Sequence, residues 1–143
     1  MTDIGLLRRV AERRESEADR EALADRLRSY LDGASAGLSL DAAFGLVPGA
    51  GCIAWWRVEA LAKRDAALRA LAARHYDSLT VRAQASAIRA TLSAYASGCW
   101  RFDRASLSAP ITYIGTEREM LFDVMKARAA VPSARQIRRV LSP

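Results

Sequence analysis

Apolar residues recur at Val81, Ala85, Ile88, Leu92, Tyr95, Cys99 and Phe102, in steps that alternate between four and three. That spacing draws one stripe down a helix, because side chains three and four apart share a face. Arg82, Gln84, Ser86, Arg89, Ser93 and Ser97 fall on the other faces, so the helix predicted over 80–102 is amphipathic. Thr80 stands where its hydroxyl can accept from a first-turn N–H. Gly98 weakens the last turn by about 1 kcal/mol relative to alanine. The stripe reads as the inward side of a bundle. It spans too few heptads for a coiled-coil seam.

A second helix is predicted over 54–76, with Val58, Leu61, Leu68, Leu71 and Ala72 on its apolar face. Only residues 77–79 separate the two helices, so they are expected to run antiparallel as a hairpin. Glu59–Lys63 and Asp65–Arg69 have helical pairing distance. Upstream, residues 2–31 read as one or two helices. Ile4, Leu7 and Val10 make a first apolar patch, and Leu23, Leu27, Tyr30 and Leu31 a second. Between the patches lies a charged run in which Ser16 can cap a restart and Arg13 can pair with Glu17. Asp32 and Gly33 suggest a left-handed helix stop. Ser39 can cap a short turn over 40–44, and the uncharged run 42–56 reads as a buried connection.

Downstream, Pro110 and the β-branched Ile111, Thr112 and Ile114 predict extended chain within 103–115. Two short helices follow. Each opens on a capping-box sequence, Thr116 with Glu119 and Ser133 with Gln136. Met120, Leu121, Val124 and Met125 form one apolar face; Ile137, Val140 and Leu141 form the other. The expected fold class is all-α: a small helical bundle around an antiparallel helical hairpin (54–102), with a C-terminal helix pair (116–141). Residues 1–15 are expected as an N-terminal helical arm on a single domain, 16–143.

Composition supports the helical reading. The chain has 143 residues, of which 29 are alanine and 20 arginine but only two lysine. Alanine and arginine favour helix, although a GC-rich genome would enrich both. Hydrophobic residues make up 51%, enough for a core without disulfides. Charge divides the chain. Residues 1–56 hold seven basic and nine acidic groups, and residues 57–143 hold 15 and seven. No acid follows Asp123, whereas Lys126, Arg128, Arg135, Arg138 and Arg139 do. A basic end of this kind suits a polyanion, or alternatively an acidic protein surface.

Catalytic signals are weak. Cys52, Cys99 and His75 are the only residues of their types, too few for a four-ligand zinc site of Cys and His. Cys99 and His75 are expected near opposite ends of a helix, beyond hydrogen-bond reach. The glycines at 45, 49 and 51 lack the lysine of a phosphate loop. No enzyme, cofactor, metal or membrane span is expected. The N-terminus has no signal-peptide pattern, and a cytoplasmic setting is the expectation.

The leading expectation is a small basic nucleic-acid-binding protein, a DNA-binding regulator or accessory factor. Its C-terminal helix pair would act in helix-turn-helix fashion. Lys126, Arg128, Arg135, Gln136, Arg138 and Arg139 would meet phosphates and base edges. Trp55, Trp56, Arg57, Trp100, Arg101 and Arg104 are a candidate interaction surface, expected together at one end of the hairpin. The alternative is a helical structural or adaptor protein that forms a homo-oligomer or docks on a protein partner, without nucleic acid or catalysis.

Overall fold

The structure, a computed structural model, describes residues 3–142. Among the described residues are eight α-helices, two 3-10 turns and no strand, so the all-α class holds. The packing groups the chain into two compact units, one ending at Val58 and one beginning at Glu59.

The first unit contains α1 (Ile4–Ala11), α2 (Glu17–Gly33) and α3 (Leu40–Ala43). Ser16 caps α2: its hydroxyl accepts from the Asp19 N–H at 3.2 Å, and the Asp19 carboxylate accepts from the Ser16 N–H at 2.9 Å. Two ion pairs hold α1 to its surroundings, Arg9–Asp19 at 2.6 Å and Asp3–Arg26 at 2.7 Å. Residues 3–15 therefore group with α2 and α3, and the unit boundary lies inside the next helix. The core is small. Ala43, Phe44 and Leu46 are buried, with Ile4, Leu7, Leu23, Tyr30, Leu38 and Trp55 against them. Residues 47–53 are exposed, so the uncharged run is buried only at its start.

Two local expectations change here. Glu17 pairs with Arg20 at 3.0 Å rather than with Arg13. The left-handed residue is Gly37, at φ +91°, after a 3-10 turn over Ala34–Ala36; Gly33 stays right-handed. Leu38 explains Gly33. A Cβ on Gly33 would lie 2.8 Å from the Leu38 side chain, so the glycine admits a close approach rather than a reversal.

The helix α4 (Trp55–His75) crosses the boundary. The second unit continues with α5 (Val81–Ser97), α6 (Trp100–Asp103), α7 (Glu117–Ala127) and α8 (Ala134–Leu141). One core joins them: Leu68, Leu71 and Ala72 of α4; Ala85, Ile88, Leu92 and Tyr95 of α5; Leu121, Phe122, Val124 and Met125 of α7; and Ile137 of α8. Burying a side chain of this size contributes about 1.5–3 kcal/mol, so α5 and α7 anchor the unit. The nearest neighbour of α8 is α5, not the preceding α7.

The α5 stripe is buried from Ala85 to Tyr95; Val81 at its start is exposed, Cys99 is half-buried against the core, and the helix breaks between Tyr95 and Phe102. Gly98 closes the helix by donating to the Ala94 and Tyr95 carbonyls, and α6 begins at Trp100. Phe102, expected on the inward face, is 69% exposed. Val58 is exposed too. Asp65 pairs with its neighbour Arg64, and Arg69 donates to the Val140 carbonyl at 3.1 Å, tying α4 to α8. The expected extended run instead turns through a 3-10 segment, Ile111–Tyr113. The capping box at Ser133 and Gln136 forms. The one at Thr116 does not: its hydroxyl donates to the Tyr113 carbonyl, and Glu119 accepts from the Gly115 N–H.

Candidate functional site

The second unit carries 14 basic and seven acidic residues. Much of that excess lies on α5 and α8. Where the two helices run side by side they enclose an open cleft of about 310 Å³, lined by Arg82, Ala85, Ser86, Ala134, Arg135 and Arg138. Three cations line it and no carboxylate does. Helical spacing explains the set. Arg82 and Ser86 are four apart on the polar face of α5, beside the inward Ala85. Arg135 and Arg138 are three apart on α8, flanking the side opposite the buried Ile137. Ala85 and Ala134 end at Cβ, which leaves space between the helices.

None of the three arginines makes an ion pair or side-chain hydrogen bond among the described residues. The comparable cleft in the first unit, about 430 Å³, is different. Its arginines are neutralised within the cleft by the Arg9–Asp19 and Asp3–Arg26 pairs. Arg9 holds the Asp19 carboxyl well below the usual carboxylate range, helped by the Ser16 N–H. A paired cleft offers an anion little; an unpaired one offers three guanidinium forks. The first turn of α8 adds to this. The first intrahelical acceptor is Ser133 O, which takes the Ile137 N–H, while Ser133 Oγ takes that of Gln136. The amides of Ala134 and Arg135 precede both, at the positive end of the helix.

The other expected residues divide. Arg128 and Arg139 are exposed and lie off the cleft lining. Gln136 has its carboxamide oxygen committed to the Ser133 N–H at 2.9 Å, so a bidentate base contact would cost the cap. Lys126 is a structural pin: its ammonium donates to the carbonyls of Ser106, at 2.6 Å, and Arg104, at 3.2 Å. It is therefore unlike the free cations around it. Arg82 and Ser86 are the members that the C-terminal reading missed. Their sequence signal was the polar face of α5, but nothing in the spacing says which helix that face would meet.

No protein-family model, curated protein or solved structure matches the chain.

The aromatic residues serve mostly as packing. Trp100 lies between Tyr95 and Phe122, with ring centroids 6.3 and 6.0 Å away. Arg101 covers the Phe102 ring at 4.5 Å, and Arg104 is exposed. In the first unit, Trp55 packs on the Phe44 cluster and meets Trp56 edge-on at 5.9 Å; Trp56 and Arg57 are exposed.

A second polar cluster is buried. Asp103 accepts from the Tyr95 hydroxyl at 2.7 Å and from the Tyr113 hydroxyl at 3.1 Å. Burial, and then the Asp103 hydrogen bond, pushes both tyrosine hydroxyls above their ordinary range. This arrangement fastens α6 and the 3-10 turn to α5. Among the described residues, no group of three or more His, Cys, Asp and Glu is placed to hold a metal ion. His75 is exposed in the last turn of α4 and Cys99 is half-buried beyond the far end of α5. The 17 residues of α5 separate them by about 25 Å at 1.5 Å per residue. No helix among the described residues is long and apolar enough to cross a membrane.

Proposed function

We propose that this protein binds nucleic acid through the basic face shared by α5 and α8, as a regulator or accessory factor. The observation that carries this reading is the convergence of Arg82, Arg135 and Arg138, all without ion pairs among the described residues, on one cleft. Arg89 of α5 and Arg139 of α8 are further exposed cations on the same two helices, so phosphate contacts carry the affinity. The helix-turn-helix form of the reading is weaker. In that motif a recognition helix must present its face to a groove, whereas α8 lies along α5 and spends Gln136 on its cap. Phosphate recognition with little base reading fits these residues better.

The test is a titration of the full chain against a mixed DNA duplex and a single strand at two salt concentrations, with an equally basic helical protein as control. The expected result is binding tighter than the control that an Arg82→Ala/Arg135→Ala/Arg138→Ala variant weakens at least about tenfold. Binding no better than the control would sink the proposal.

One observation favours a second reading, assembly with another copy of the chain. Phe102 on α6 and Leu107, Ile111 and Ile114 between α6 and α7 are all exposed apolar residues, Leu107 at 96%. Light scattering that finds a discrete oligomer, dispersed by Leu107→Ser/Ile111→Ser, would support it; a monomer at high concentration would count against it.

A further inference from the structure

A nucleic-acid backbone spreads its charge, with one phosphate about every 3.4 Å along each strand of a duplex. A surface that only tracks a backbone has no need to gather its cations. Here three are gathered around one concavity of about 310 Å³, with the Ser86 hydroxyl on the same wall. An internal phosphodiester brings a single negative charge and two free oxygens to such a site. A phosphate monoester at a strand end brings three oxygens and, above its second pKa of about 6, nearly two charges. Guanidinium forks bind such oxygens in bidentate pairs, and three forks match a group with three oxygens. Ala134 and Arg135, which carry first-turn amides of α8, are among the residues lining the cleft. The cations outside the cleft, Arg89, Arg128 and Arg139, remain for the adjoining diesters.

We propose that the cleft between α5 and α8 receives the terminal phosphate monoester of a nucleic-acid strand. The protein would then recognise strand ends rather than internal sequence. This rests on the nucleic-acid reading and adds to it the chemical group that the cleft selects.

The experiment compares one fluorescently labelled oligonucleotide carrying a 5′-phosphate, a 3′-phosphate or only hydroxyl ends, titrated with the full chain at fixed salt. A phosphoserine peptide of equal net charge is titrated alongside. The expected result is a preference of at least about tenfold for a phosphorylated end, since the added charge makes charge-assisted hydrogen bonds. The preference should shrink below about pH 6, where the monoester gains a proton. Arg82→Gln and Arg138→Gln should each weaken the phosphate-ended strands more than the hydroxyl-ended one, so that the preference falls. Arg139→Gln should weaken all three strands alike. Circular dichroism confirms that each variant is folded.

Equal, salt-sensitive binding of all three strands would overturn end recognition and leave the wider reading standing. No binding of any strand would overturn both. A phosphopeptide bound as tightly as the phosphorylated strand would overturn the assignment to nucleic acid. A loss of affinity in Arg82→Gln that is equal for phosphorylated and hydroxyl ends would overturn the assignment to this cleft.

Discussion

Asp103 shows how much one residue can hold in place. It is buried in the second unit and accepts from two tyrosine hydroxyls. Asp103→Ala leaves the buried Tyr95 hydroxyl without this acceptor and is expected to cost about 1–3 kcal/mol in urea denaturation. The pH dependence has a definite sign. Both tyrosine hydroxyls sit above their ordinary value of 10.0 in the folded chain. Below that value both states keep the protons, and the stabilisation is complete. Above it the unfolded chain releases protons that the folded chain retains, so stability falls as pH rises. Urea midpoints followed by circular dichroism should drop from about pH 10 upward. The drop should be shallower in Asp103→Ala, because its hydrogen bond is part of the cause. A flat midpoint up to pH 11 in the native chain would contradict this. The sequence gives little hint of the cluster, because Asp103 stands past the break at Gly98, where the helical period no longer says which side chain turns inward.

At the scale of elements, α8 depends on two features with different reach. Its cap is local: the Ser133 hydroxyl and the Gln136 side chain answer each other within one turn. Ser133→Ala is expected to cost about 1 kcal/mol, read as a lowered thermal midpoint. Its docking is long-range, through the fully buried Ile137. Ile137→Ala should cost more, about 2–5 kcal/mol, because it opens a cavity among Ile88, Leu121 and their neighbours. Equal losses for the two variants would mean that the docking is misjudged. Local features of this kind were legible beforehand. Ser16, Ser39, Thr80 and Ser133 all cap where expected, since a cap needs only residues three apart. Thr116 departs because the Gly115 amide competes for Glu119. The Asp65–Arg69 pair departs because the Val140 carbonyl, 71 positions away from Arg69 in the chain, competes for the arginine.

Across the whole molecule the charge is divided between the units. Residues up to Val58 hold eight basic and nine acidic groups, and the second unit has twice as many basic groups as acidic ones. If phosphate contacts carry the affinity, the logarithm of the binding constant should fall linearly with the logarithm of salt concentration, by about 0.9 per phosphate neutralised on duplex DNA. The Arg82/Arg135/Arg138 alanine variant should reduce that slope by about two to three. An unchanged slope in the variant would place the contacts elsewhere, on Arg89, Arg128 or Arg139.

The all-α class, the main helices, most of their caps and the basic character of the second half are all readable from the order of residues. Each depends on residues within a turn or two of one another, or on composition alone. That α8 lies along α5 emerges only on folding. Docking of distant helices depends on how their side chains interlock, not on the period of either one. From that choice follows the joining of Arg82 to Arg135 and Arg138; long-range contacts likewise set the withdrawal of Lys126 to a pair of carbonyls.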